Sequence, residues 1–185
     1  MGESTVILRC TGKFLKAAGL KTAAIDSASS AALDGEWYAN LLWFDRRKCV
    51  LLTHASTLFS AFVADIRKRD LAPAGDFLIR HVMEALSAEQ LPADTFSVLD
   101  TGDVQVAKTA SRVVLGCMND MAWMLENDLA GQGGLARADI FAVNHQLRRL
   151  INSPNGYRHP IDLARDLAAT RYPAALQPDS RSCPR

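Results

Sequence analysis

Several features that usually announce a function are missing from this sequence. Its four cysteines, Cys10, Cys49, Cys117 and Cys183, stand singly, with no C-x-x-C pair and no histidine at ligand spacing, so no metal site is expected. No apolar run approaches the roughly 18 to 20 residues that span a bilayer. The start Met1-Gly2-Glu3-Ser4-Thr5 lacks the basic and long apolar parts of a signal peptide. Gly2 opens a myristoylation-like start, but Val6 stands where that pattern wants Ser or Thr. A cytoplasmic protein without a membrane partner is the expectation.

Charge of one sign is also scarce. The net charge of +1 excludes a large electrostatic footprint on duplex nucleic acid, while leaving room for a local patch under a balanced total. There is no G-x-S-x-G, no H-E-x-x-H and no P-loop. Gly131-Gln132-Gly133-Gly134 follows no strand and has the wrong spacing for a dinucleotide fingerprint. No cofactor is implied. None of the histidines has an evident acidic partner: His54 ends a strand, His81 lies inside a helix, and His145 and His159 flank a loop, where surface or capping roles suffice.

What is present is an ordinary globular composition, 49% hydrophobic and 22% charged over 185 residues, enough for one domain with its own core. The expected domain spans 1–170, followed by a flexible tail at 171–185. The three cysteines among apolar neighbours, Cys10, Cys49 and Cys117, read as small buried hydrophobes.

Periodicity supplies the elements. VILRC at 6–10 reads as a strand, and Lys13 to Ala18 as a short helix stopped by Gly19. Residues 21–36 have no firm period and read as a loop or weak helix. Residues 37–63 hold three strand-length apolar runs, WYANLLWF, KCVLLTH and TLFSAFV, which predict an antiparallel meander. Alternation sends Trp37, Ala39, Leu41 and Trp43 to one face and Tyr38, Asn40, Leu42 and Phe44 to the other. Phe77 to Ala85 reads as an amphipathic helix, a helical turn is expected near Pro92, and VQVAKT at 104–109 as a fifth strand. From Arg112 to Leu129 a stripe of Val114, Met118, Met121, Leu125 and Leu129 defines the clearest helix. Asp139 caps another, with Ile140, Val143, Leu147 and Leu150 inward, and Pro160 opens a last helix to Ala169. The fold class is α+β, a small mainly antiparallel sheet of four to five strands packed with four to six helices.

The order Ile7-Leu8-Arg9-Cys10-Thr11 with Lys13, then Trp37-Tyr38-Ala39-Asn40-Leu41, Arg46-Arg47-Lys48-Cys49, Thr57-Leu58-Phe59-Ser60, Lys108-Thr109 with Arg112, Leu115-Gly116-Cys117-Met118-Asn119-Asp120, Asn144, and Gly156-Tyr157-Arg158 with Pro160-Ile161 resembles a bacterial family classified only as a domain of unknown function. The resemblance spans Val6 to Leu167. It implies a bacterial, intracellular single domain and carries no catalytic residue. Cys117 stands where such sequences often have Ser.

The candidate sites are polar. Arg9, Lys13, Arg46, Arg47, Lys48 and Arg112 are the anion-binding candidates, since arginine clusters hold carboxylates and phosphates. For Asp45-Arg46-Arg47-Lys48 the competing reading is a solvated turn; Arg-Arg suits a two-residue hairpin turn poorly, so a longer loop on a type I turn is expected. Arg112, Gly116, Asn119 and Trp123 fall on the far side of their helix, where Gly costs about 1 kcal/mol relative to Ala and points to close helix packing or a ligand. With Asp120, Asn144 and Tyr157 they form the cleft candidates. Asn40 and Asn144 read equally as structural amides.

Three functions follow. The first is a non-catalytic binding or regulatory protein whose cations hold a nucleic acid, nucleotide or acidic protein. The second is an enzyme on a phosphate-containing or other anionic small molecule, with Arg112 as clamp and Asn119, Asp120 or Tyr157 near the chemistry. The third is a protein-interaction subunit using exposed Trp37, Trp43 and Trp123.

Overall fold

The computed structural model describes residues 6–22, 35–96 and 104–171. The expected C-terminal tail and most of the 21–36 loop lie outside them. Five strands, β1 (Val6–Cys10), β2 (Glu36–Phe44), β3 (Arg47–His54), β4 (Ser60–Val63) and β5 (Val104–Lys108), form one sheet in the order β4-β3-β2-β1-β5. The α-helices among the described residues are α1 (Gly12–Ala18), α2 (Ala74–Ala88), α3 (Arg112–Gly131), α4 (Ile140–Leu147) and α5 (Pro160–Arg171). The class is α+β. The meander β2-β3-β4 is antiparallel throughout, while β1 pairs parallel with both β2 and β5, so the sheet is mixed. The second half of that pattern needs long connections, which no local spacing reveals.

Alternation along β2 sorts the core into two layers. Trp37, Ala39 and Leu41 pack with Val6, Leu8, Val50 and Leu52 against Phe14 of α1, Phe77 and Val82 of α2 and Ile161 of α5. Tyr38 on the other face packs with Leu51 and Phe62 against Met118, Met121 and Leu125 of α3 and Val143 of α4, with Leu42 and Phe44 at its margin. Helices therefore cover both faces, which explains why neither face of β2 reads as polar. The predicted α3 stripe is buried along its whole length, and Asp139 caps α4 by accepting the Ala142 N–H.

Several elements differ from the sequence expectation, among them β4, which begins at Ser60 rather than Thr57. α2 begins at Ala74 and continues to Ala88, beyond the expected Phe77 to Ala85, since Ala74-Gly75-Asp76 carries no apolar repeat for periodicity to register. α5 reaches Arg171. Around Pro92 the chain forms turns rather than a helix, and Phe96 is pushed into the core against Trp37 and Phe59. The β2–β3 connection is a two-residue turn, with Phe44 facing Arg47 and both Asp45 (φ 48°) and Arg46 (φ 63°) left-handed. That is the twist a tight hairpin requires. Its cost is offset because Asp45 Oδ2 accepts the Leu135 N–H at 2.6 Å, fixing the turn to the α3–α4 connection.

Candidate functional site

The carboxyl ends of the parallel strands gather the polar residues that the core does not need. Register places Lys108 beside Cys10, which puts the β1–α1 turn and the β5–α3 connection next to each other. Lys13 follows three residues after Cys10 and Arg112 four after Lys108. All three cations are exposed, and none makes an ion pair among the described residues. α1 leaves β1 toward the Trp37 face, whereas α3 leaves β5 toward the Tyr38 face. Adjacent parallel strands whose helices depart to opposite faces open a crevice at their carboxyl ends, the usual ligand position in open α/β sheets.

This rim is braced from within. Arg9 lies buried in β1, its Nε donating to Glu36 Oε1 at 2.7 Å and its Nη1 to the Lys108 carbonyl at 3.2 Å. Arg9 is therefore a support under the rim, and its charge is matched by Glu36. Thr11 caps α1 by accepting the Phe14 N–H, and its hydroxyl donates to Asn40 Oδ1 at 3.3 Å. The Tyr38 hydroxyl accepts the Ser111 N–H at 3.0 Å, setting the start of α3 over the sheet, and burial pushes its phenol upward. Asn40 is thus a bridge between β2 and the β1–α1 turn.

The hairpin cations are separate. β2 continues five residues beyond the Ala39–Cys10 pair, roughly 16 Å at strand rise, before the turn. There Arg47 donates to Asp65 at 2.9 Å and Lys48 Nζ sits 5.6 Å from the centre of the Trp43 ring, leaving Arg46 exposed without an ion pair among the described residues. Register and chain connection set Lys13 and Arg112 on the segments that follow the Cys10–Lys108 pair, while Arg46, Arg47 and Lys48 lie at the far end of β2.

The α3 candidates share an outward face. Gly116, Asn119, Asp120 and Trp123 are all exposed, Trp123 to 67%. A Cβ on Gly116 would meet nothing within 4 Å, so close packing does not account for this glycine. Tyr157 is 70% exposed on the α4–α5 loop, left-handed at φ 60°, and Asn155 ties that loop to the Thr57 carbonyl. Arg112, Asn119, Asp120 and Tyr157 line neither the cleft between α2, β4 and α4 nor the one between α3 and α4. Of the three tryptophans, Trp43 (56%) and Trp123 are exposed, whereas Trp37 is wholly buried.

Asn144 has a structural task. Its Oδ1 accepts the Phe62 N–H at 2.7 Å and its Nδ2 donates to the Phe62 carbonyl at 2.8 Å, so one amide replaces a neighbouring strand on β4. Beside it lies a buried ion cluster absent from the sequence expectations. Glu89 caps α2 and meets Arg148 Nε at 2.9 Å and Arg149 Nη2 at 2.7 Å, while Arg148 Nη1 reaches the Ser60 carbonyl. Burial pushes the Glu89 carboxyl up, but hydrogen bonds from Arg149 and Arg148 outweigh it and bring the pKa down to about 2. A sequence signal existed: a carboxylate at a helix C-terminus opposes the dipole and needs a compensating partner. Likewise His81 and Glu84, three apart on α2, pair at 2.8 Å, a spacing that helix geometry brings together.

Cys10, Cys49 and Cys117 are buried free thiols whose pKa values burial raises, that of Cys10 to about 12. They are poor nucleophiles. Among the described residues no group of three or more His, Cys, Asp or Glu is placed to hold a metal, and no helix is long and apolar enough to cross a membrane.

No curated protein and no solved structure matches the chain. A match to a protein family runs over residues 7–163, from β1 into α5, and so takes in the rim, the hairpin and the α3 face together. The chain belongs to the family described as Domain of unknown function (DUF6933).

Proposed function

We propose that this is a non-catalytic binding protein that holds an anionic, phosphate-bearing ligand at the rim formed by Lys13, Lys108 and Arg112. The observation that carries this is the β1–β5 register, which sets exposed Lys108 beside Cys10 with exposed Lys13 and Arg112 on the segments that follow, none of the three in an ion pair among the described residues. Thr11 and Asn40 add a hydroxyl and an amide at the same end, groups that complement phosphate oxygens. A net charge of only +1 favours a compact ligand over a long duplex. The buried, unbridged thiols fit a reducing compartment, and with the family resemblance the reading is of a bacterial cytoplasmic protein. An enzymatic role finds less support, because its required residues are spread over α3 and the α4–α5 loop.

The test is isothermal titration calorimetry with inorganic pyrophosphate at low salt on the wild type, the Lys108→Glu/Arg112→Glu variant and the Arg46→Glu/Arg47→Glu variant. Charge-assisted hydrogen bonds of about 1.5–3 kcal/mol predict a loss of roughly tenfold or more in the rim variant. The hairpin variant is expected to bind as the wild type does. Absence of binding by the wild type, or loss confined to the hairpin variant, overturns the proposal.

A further inference from the structure

A second site lies at the other edge of the sheet, where α2, β4 and α4 enclose a cleft of about 170 Å³. Its walls are Ala61 and Phe62 of β4, Ala85 and Ala88 of α2, and Ile140 of α4. Elsewhere the inward face of α2 carries Phe77, Leu78 and Val82, so the two alanines keep this volume empty. An apolar cavity of about 150 Å³ is enough for benzene, which makes the cleft one ring in size.

The polar residues around it define what a ring must carry. His81 is held by an edge-on contact with Phe77, ring centres 4.6 Å apart, and by Glu84 Oε2 at 2.8 Å from its Nδ1. An ionised carboxylate only accepts, so Nδ1 carries a proton toward Glu84, and in the neutral form of the ring Nε2 is the acceptor. Nε2 has no partner among the described residues. The remaining polar wall is engaged: Asn144 on the Phe62 backbone, Arg148 on Glu89 and the Ser60 carbonyl. Both outward backbone groups of Phe62 being taken, an extended peptide cannot pair there. Glu84 at the mouth repels a carboxylate, and Arg148 is directed away by Glu89, which it shares with Arg149, and by the Ser60 carbonyl. What remains is a mostly apolar slot with His81, whose Nε2 is unpartnered among the described residues, on its wall, and Phe141 stands exposed at its edge.

We infer that this cleft binds a small neutral aromatic alcohol or phenol, its ring between the alanines and Phe141 and its hydroxyl donating to His81 Nε2. The site is independent of the cationic rim. Phenol titrated into the wild-type protein is expected to shift the His81 ring resonances saturably in NMR spectra. Toluene, which has the ring without the hydroxyl, is expected to bind roughly tenfold or more weakly, as the loss of a buried hydrogen bond implies. Ala88→Leu, which fills the slot, should abolish the phenol shifts while far-UV circular dichroism stays native. Unshifted His81 resonances, equal binding of toluene, or undiminished binding by folded Ala88→Leu overturns the inference. The phenol–toluene comparison stands on the wild type alone, whatever the variant's folding.

Discussion

The two ends of this sheet's polar inventory are used in opposite ways. At the β4 edge the buried polar groups of α4 and of the C-terminal ends of α2 and α4 are matched: Asn144 to both backbone groups of Phe62, Arg148 to Glu89 and the Ser60 carbonyl, Arg149 to Glu89. At the carboxyl ends of β1 and β5 the buried layer is matched, Arg9 with Glu36, while the outer layer of Lys13, Lys108 and Arg112 has no ion pair among the described residues. Burial explains the contrast. A desolvated charge or an open strand edge must be satisfied within the protein, whereas cations facing water remain available. Matched polar groups therefore mark what holds this fold, and unmatched ones mark what it can offer to a partner.

Glu89→Gln should break the comparison most severely. It leaves the buried Arg148 without its counter-charge, and a loss of about 3–5 kcal/mol is expected in urea unfolding. The same pair sets an acid limit. Glu89 has its folded pKa held at about 2 against 4.5, so its contribution is complete above pH 4.5 and is lost as the pH falls toward 2. An acid titration of stability should show this component in the wild type and lack it in Glu89→Gln.

Asn144→Ala comes next. It uncovers the N–H and C=O of Phe62, for which about 1–3 kcal/mol is expected, read as a lowered urea midpoint. It also reopens the edge of β4, so size-exclusion chromatography should show self-association that the wild type lacks. Lys108→Glu/Arg112→Glu lies at the small end. Its urea midpoint should match that of the wild type, since no partner is left stranded, while pyrophosphate binding falls. A large stability loss there would mean that the rim cations are structural after all and would erase the contrast.

Much of the architecture was legible beforehand. The β1 run, the three strands of the meander, the two faces of β2, the buried stripe of α3 and the caps at Asp139 and Gly19 all follow from local patterns that the structure keeps. The β2–β3 turn was misjudged because its tightness depends on Leu135, some ninety residues away. Gly116 drew notice as a helix glycine, but its surroundings are open, and nothing in the structure explains it. Of the six candidate cations, sequence could list them but not divide them, since the division follows from β5 lying beside β1 and from β2 running past both.

By itself, then, the sequence determined the elements, their inward faces, the inert thiols and the family, because period, caps and burial preference are properties of short stretches of chain. Tertiary structure alone decided which polar residues are partners. Arg9 and Glu36 are 27 residues apart, Arg148 and Glu89 59, and Asn144 and Phe62 82. Such pairs are set by strand order and by which face each helix covers, and those depend on the packing of the whole core rather than on any local signal.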